Sequence, residues 1–90
     1  MAKFRKKPVV IDAWRVSDLL HDARSNWKGL PEPIRDAYET GDVIFADAIH
    51  ITTFEGTMLG EPTDWVICGV KGELYPCKPD IFAATYEPAE

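Results

Sequence analysis

A rigid bend near the C-terminus carries the lysine that is best placed to do chemistry. Pro76 and Pro79 fix the backbone φ angle on either side of Lys78. The ammonium group therefore starts from a rigid backbone in a chain that is otherwise acidic. Such a group suits a phosphate or another small anion. The alternative interpretation is that Lys78 is solvated, or that it pairs with Asp80 or Glu87.

Four further residues would complete an anion site around this lysine. Ammonium groups bind phosphate as point charges, and flat aromatic rings stack on nucleotide bases. The sequence therefore predicts a site for a small anionic or nucleotide-like ligand, with stacking by Trp65 or Tyr75. The predicted ligand-binding residues are Lys78, Tyr75, Trp65, Lys71 and Lys7.

The cysteines and histidines form no recognisable catalytic or metal-binding pattern. Cys68 and Cys77 lack the two-residue gap of zinc knuckles, and His21 and His50 add no local motif. Cys68 is predicted to be a small buried hydrophobe, whereas Lys78 could lower the pKa of the neighbouring Cys77. The sequence also has no P-loop, nucleophile elbow or His-Glu-x-x-His motif. We therefore predict a protein that is not an enzyme, with no catalytic residues, no metal and no cofactor.

Charge is distributed unevenly along the 90 residues. Residues 1–7 form a basic N-terminal arm with four basic residues and no acid, whereas residues 8–90 contain six basic and fifteen acidic residues. An acidic body argues against general binding to a long nucleic acid, because that affinity depends on Lys and Arg. The arm is interpreted either as a local phosphate contact or as a solvated terminus. No apolar run reaches the roughly 18 residues of a membrane span, so we expect a cytoplasmic protein without membrane contact.

The pattern of apolar residues predicts one α+β domain over residues 1–90. Ser17 is the expected N-cap of a helix from Asp18 to Lys28, and a shorter helix is expected over 31–39. From residue 42 the apolar period changes to two, which predicts antiparallel strands. We expect these strands to form a curved antiparallel β-sheet, a partial barrel, with one long and one short helix packed on one face. The predicted strands cover 8–16, 43–46, 48–54, 57–59, 65–70, 73–75 and 85–87, with 65–70 central, and a helical turn opens at 78–80. The expected core contains Trp65, Ile67, Ile51, Ile11, Phe82 and Leu20, with Ile81 and Tyr86 beside it.

Two parts of the chain resemble a known group of sequences. The stretch 54–88, with the block YPCKPDIF at 75–82, and the opening KFRKKPVVIDA at 3–13 resemble a family of small uncharacterised proteins of tailed bacteriophages and prophages. The likeness covers roughly half of the chain and leaves out residues 17–50. Members of that family often have Pro-Gly-Asp-Trp before the central strand, where this chain has Pro62-Thr63-Asp64-Trp65. The resemblance implies a phage setting and carries no established activity.

In that setting we expect a non-enzymatic accessory protein acting in the host cytoplasm. The favoured function is a counter-defence binding module, a homo-oligomer that sequesters a small anionic or nucleotide-like ligand. The alternatives are an inhibitor that binds a host protein surface, or a minor virion or assembly component. A self-associating ligand binder would show apolar patches at its edges and a cavity lined by both charge signs. A protein inhibitor would instead show a flat acidic face.

Overall fold

A computed structural model describes residues 2–5 and 7–89 of the chain and has the expected α+β class. Met1 and Lys6, which belong to the predicted basic arm, lie outside the described residues. The helices and strands follow one another as β1 (Asp12–Arg15), α1 (Val16–Ser25), a 3₁₀ turn (Trp27–Gly29), α2 (Glu32–Glu39), β2 (Val43–Phe45), β3 (Ile49–Thr53), β4 (Gly56–Gly60), β5 (Trp65–Cys68), β6 (Leu74–Cys77) and α3 (Pro79–Thr85).

The described strands form two antiparallel three-stranded sheets, whereas the sequence predicted one curved sheet. The first sheet has the strand order β1-β5-β6, and the second has the order β2-β3-β4. The predicted central position of the Trp65 strand is confirmed, because β5 lies between β1 and β6. Within this sheet Trp65 is opposite both Arg15 and Cys77. This register brings residues from three distant parts of the chain side by side.

Helix α1 begins two residues earlier than predicted, and Ser17 is inside the helix instead of capping it. The N–H groups of Val16 and Ser17 donate to the carbonyl oxygens of Asp64 and Pro62, at 3.0 and 3.1 Å. These carbonyls satisfy donors that a helix start otherwise leaves open. A serine cap is therefore unnecessary, and the turn before β5 anchors the start of α1.

Several predicted boundaries at the ends of the chain are wrong. Residues 8–11 are not strand, and β1 begins only at Asp12, where pairing with Cys68 starts. Residues 85–87 are not strand either, because α3 continues to Thr85. Ala83 and Ala84 explain this continuation, since alanine has the highest helix propensity. The first helix also stops at Ser25, before the predicted end.

The main core lies where α1 and α2 pack on the second sheet and on β5. Of the expected core residues, Leu20, Ile51 and Ile67 are buried, whereas Trp65, Phe82 and Ile11 are only partly buried. Ile81 was expected to pack in the core and is exposed, because α3 turns Phe82 and not Ile81 towards Trp65. The buried apolar cluster consists of Val16, Leu19, Leu20, Leu30, Ile34, Val43, Ile49, Ile51 and Val66.

The two sheets meet closely at the end of β4. A Cβ atom built on Gly60 would lie 2.7 Å from a methyl carbon of Ile49 and 3.5 Å from the side chain of Pro76 in β6. The contact with Ile49, which belongs to the same sheet as Gly60, is too short for a side chain at position 60 unless that neighbour moves, whereas the contact with Pro76 across the two sheets is an ordinary van der Waals distance. Across the part of the chain that the structure describes, no helix has the length and apolarity needed to cross a membrane.

Candidate functional site

Lys78 is held by a carboxylate that the core buries. Its Nζ donates to Oδ2 of Asp64 at 3.0 Å, and the Asp64 side chain is 2% exposed while that of Lys78 is 58% exposed. The same oxygen accepts the backbone N–H of Glu61 at 2.9 Å. The second oxygen, Oδ1, is buried and has no hydrogen-bond partner among the described residues. Lys78 therefore supplies the counter-charge that lets Asp64 remain buried at the start of β5.

This pairing was not predicted. The predicted partners of Lys78 were Asp80 and Glu87, which are closer to it in sequence, whereas Asp64 is 14 positions away. The sequence feature that could have indicated the pair is the acidic residue at the end of the turn 62–64, directly before the most apolar strand. At such a boundary a carboxylate must either face water or bind a partner. We call Asp64, Lys78 and the stacked residues beside them the Asp64 corner. The stacked residues are Arg15, Trp65, Phe82 and Tyr86.

Aromatic rings at the Asp64 corner are stacked on one another. The Trp65 ring centroid lies 4.2 Å from that of Phe82 with an interplanar angle of 10°, and Phe82 contacts Tyr86 at 5.3 Å. The Arg15 guanidinium carbon lies 4.6 Å from the centroid of Trp65. Phe82 thus stacks on Trp65, where a nucleotide base was predicted to stack. These contacts resemble a packed satellite core more than an open binding face.

Tyr75 is tied to this stack through its hydroxyl group. Burial, and after it the hydrogen bond with Tyr86, raises the pKa of Tyr75 to about 12. A phenol with such a pKa remains neutral over the physiological range. Tyr75 is half-buried, and part of it also lines the groove described below.

The two cysteines are free thiols in environments that disfavour the thiolate. Burial raises the pKa of Cys68, and the negative charges of Asp12 and Glu73 add to the effect. Burial also raises the pKa of Cys77, with further contributions from Asp64 and Asp80. The expectation that Lys78 lowers the pKa of Cys77 is therefore wrong. The ammonium group is paired with Asp64, so the nearby charge that Cys77 meets is negative.

The second region of interest is a long open groove that β6 helps to line. It has a volume of about 1150 Å³ and is bounded by α2, the β3–β4 hairpin and the turn between β5 and β6. We call it the acidic groove, because the described residues that line it include five carboxylates and one ammonium group. The carboxylates, all exposed, are Glu32, Asp36, Asp42, Glu55 and Glu73, and the ammonium is that of Lys71.

Apolar side chains lie between these charges. Phe54, at the tip of the β3–β4 hairpin, is fully exposed, and Met58 on the edge strand β4 is 37% exposed. Ile51 and Leu74 contribute partly or fully buried apolar surface to the same groove. The exposed tip is an unfavourable place for a large ring in water, since a Phe side chain gains roughly 1.5–3 kcal/mol when it is fully buried. The groove thus combines negative charge with apolar surface that the fold leaves uncovered.

The predicted ligand-binding residues fall into three places. Trp65 and Lys78 belong to the Asp64 corner, while Lys71 and Tyr75 line the acidic groove. Lys7 lies in the arm and is exposed. The structure therefore places Lys71 and Tyr75 in one groove and Lys78 beside the strand of Trp65. The five predicted residues do not line one cavity. The groove carboxylates were not singled out by the sequence, because they come from separate turns and one helix face.

A second, smaller hollow of about 380 Å³ lies beside an aromatic cluster. Trp27 meets Tyr38 and Phe45 edge-on, with centroids 5.0 and 6.0 Å apart, and Tyr38 stacks on Phe45 at 5.6 Å. The three rings pack directly against one another and leave no space between them for a cation or a base. The cluster packs the 3₁₀ turn against α2 and β2.

Metal ligation and known relatives give no further assignment. Among residues 2–5 and 7–89, no three His, Cys, Asp or Glu side chains are grouped so that they could hold a metal ion. Comparison of the chain with protein-family models, with curated proteins and with solved structures found no match.

Proposed function

We propose that this protein is a non-catalytic binding module that receives a positively charged protein segment in the acidic groove. The observation that carries the proposal is the contrast in charge pairing. Within the described residues there is one ion pair, Asp64–Lys78, and it lies outside the groove. The five groove carboxylates are thus available to a partner.

Charge and shape favour an extended basic segment as the occupant. Carboxylates on three sides of a cleft sum their fields and attract cations while they repel anions. Each exposed ion pair contributes only about 0.2–1 kcal/mol, so charge alone gives weak binding. Burial of Phe54 and Met58 by the same partner would contribute more free energy than any single exposed ion pair does. A segment that alternates Lys or Arg with apolar residues meets both requirements.

The setting of this function follows from the sequence resemblance and is part of the proposal. In a bacteriophage accessory protein, such a groove suits inhibition of a host protein through a basic surface segment, in the host cytoplasm. The binding face is formed where β6 of the first sheet lies beside β3 and β4 of the second. We propose that the two sheets act together as a partial barrel, with the groove on its outside.

A second candidate function is supported by the placement of Lys71 and Tyr75. Both line the acidic groove, so one ammonium group and one aromatic ring lie at its β6 end. A small anionic or nucleotide-like ligand could use this pair, as the sequence analysis proposed. The five carboxylates on the same groove oppose an anion, and we therefore place this candidate second.

Calorimetry with three defined probes separates the two candidates. The probes are a nine-residue peptide that alternates Arg and Phe, the same peptide with Glu in place of Arg, and ATP. We expect heat of binding from the Arg peptide alone, with an affinity that falls as salt screens the charges. Binding of ATP without binding of the Arg peptide would support the anion site instead. Equal binding of the Arg and Glu peptides would contradict both candidates, because the contact would then be apolar only.

A further inference from the structure

The N-terminal arm has the chemistry that the acidic groove requires. The described residues of the arm, 2–5 and 7, and the residues 8–10 that follow it are exposed and belong to no helix or strand. They combine basic residues with apolar ones, and Phe4 and Val10 are 94% and 75% exposed. An exposed Phe in an unpaired segment gains free energy when it finds apolar surface to cover it. These residues thus form a basic segment whose apolar side chains the other described residues leave largely uncovered.

The charges of the two surfaces are equal and opposite. Residues 1–7 carry four basic residues and no acid, a charge of +4. The described residues that line the groove carry five carboxylates and one ammonium, which sum to −4. The remainder of the chain is acidic and offers no comparable cationic segment. Charge complementarity therefore singles out the arm as the segment of this protein that fits the groove.

We propose that the arm of one copy occupies the acidic groove of a second copy, and that reciprocal exchange closes a two-fold dimer. The inference rests on the proposed function, because it names the first occupant of the same groove. It also adds regulation: a partner segment must displace the arm, so binding of a partner and self-association compete. An exchange of identical arms satisfies both surfaces at once, as a closed dimer requires.

The backbone geometry of the groove suits an extended guest. Strands β4 and β6 are edge strands of their sheets, and both border or line the groove. Edge strands present unpaired N–H and C=O groups that an added extended segment can bond. Ten residues from 2 to 11 span at most about 35 Å when fully extended. That reach exceeds the length of the five-residue strand β4, about 17 Å.

Sedimentation velocity with charge-reversed variants tests the proposal. One variant reverses the arm (Lys3→Glu, Arg5→Glu, Lys7→Glu), and the other reverses the groove (Asp36→Lys, Glu55→Lys, Glu73→Lys). We expect the wild-type protein to dimerise, each variant alone to dimerise at least about tenfold more weakly, and an equimolar mixture of the two to form a heterodimer. The mixture restores association because each arm then meets a groove of opposite charge. Circular dichroism confirms that both variants are folded.

A matched control reverses charge away from both surfaces. Arg24→Glu with Lys28→Glu changes the net charge in the same direction as the arm variant and should leave the dimer intact. A monomeric wild-type protein at about 100 μM and low salt would overturn the inference, as would a mixture that fails to associate. A monomer whose arm is protected by its own groove would also overturn it. If the arm variant still binds the Arg-Phe peptide in any of these cases, the proposed function stands while the arm assignment fails.

Discussion

The Asp64 corner and the acidic groove use acidic residues in opposite ways. At the corner, one carboxylate is almost completely buried, and one of its two oxygens accepts from an ammonium group and a backbone N–H. In the groove, the described lining has five exposed carboxylates and one ammonium group. The first arrangement is typical of a structural contact, because a buried charge needs a partner to remain buried. The second leaves charge and apolar surface available to another molecule.

This difference shows why the residues that looked most functional in the sequence are not the best placed for binding. Lys78 starts from a rigid backbone, as its flanking prolines indicate, but the rigidity presents it to Asp64. Trp65 is a large aromatic residue near that lysine, but Phe82 stacks on it. The groove is built from ordinary surface residues whose common location becomes visible only in the fold.

The largest effect on stability is expected at the centre of the corner. Asp64→Ala removes the acceptor of the Glu61 N–H and the described partner of Lys78, so the free energy of unfolding should fall by about 2–3 kcal/mol. The matched groove variant Asp36→Ala should change it by less than about 0.5 kcal/mol. Urea denaturation followed by tryptophan fluorescence measures both. Equal effects of the two substitutions would break the distinction between corner and groove.

A smaller loss is expected when only the ammonium group is removed. Lys78→Ala leaves the buried Asp64 carboxylate with one N–H donor and no counter-charge, which should cost about 1–2 kcal/mol, because the lysine is itself more than half exposed. Lys78→Arg should recover most of the loss, since a guanidinium can also donate to Oδ2. Lys28→Ala, at an exposed lysine outside any described ion pair, serves as the control. No loss in Lys78→Ala would mean that water satisfies Asp64 equally well.

The free energy of unfolding at alkaline pH is expected to depend on Tyr75. Its pKa is about 12 in the folded protein, above the ordinary value of 10. Folding therefore favours the neutral phenol, so this contribution is fully present below pH 10 and is lost as the pH rises through about 12. Tyr75→Phe should flatten the fall in unfolding free energy between pH 10 and 12. Tyr38→Phe, at an exposed tyrosine outside the corner, should leave the fall unchanged.

The smallest effect concerns the thiol groups. Because burial and nearby carboxylates raise the pKa of Cys77, we expect it to react with iodoacetamide at pH 8 more slowly than free cysteine does. Mass spectrometry of the native protein over time measures the rate. Asp64→Asn should speed the reaction, since it removes a nearby negative charge while it keeps the side-chain shape. Faster reaction of the wild-type thiol than of free cysteine would show that Lys78 and not Asp64 controls it.

The sequence predicted those features that depend on neighbouring residues. The α+β class, the central position of β5 and the helical turn that opens at 78–80 follow from local periodicity and from proline at a helix start. The start of α1 was missed because the carbonyl acceptors of Pro62 and Asp64 come from a distant turn. The ion pair of Lys78 was missed for the same reason. The groove was missed because its carboxylates lie on α2, on a hairpin and on a separate turn.

Binding of a labelled Arg-Phe peptide to three variants in the arm-reversed background tests the central claim most directly. The variants are the groove reversal (Asp36→Lys, Glu55→Lys, Glu73→Lys), a control of equal charge outside the groove (Glu39→Lys, Asp47→Lys, Glu87→Lys), and Lys78→Ala. Fluorescence anisotropy should show at least about a tenfold loss of affinity for the groove reversal and wild-type affinity for Lys78→Ala, with only a small loss for the control. Normal binding by the groove reversal, or loss of binding in a folded Lys78→Ala protein, would contradict the account.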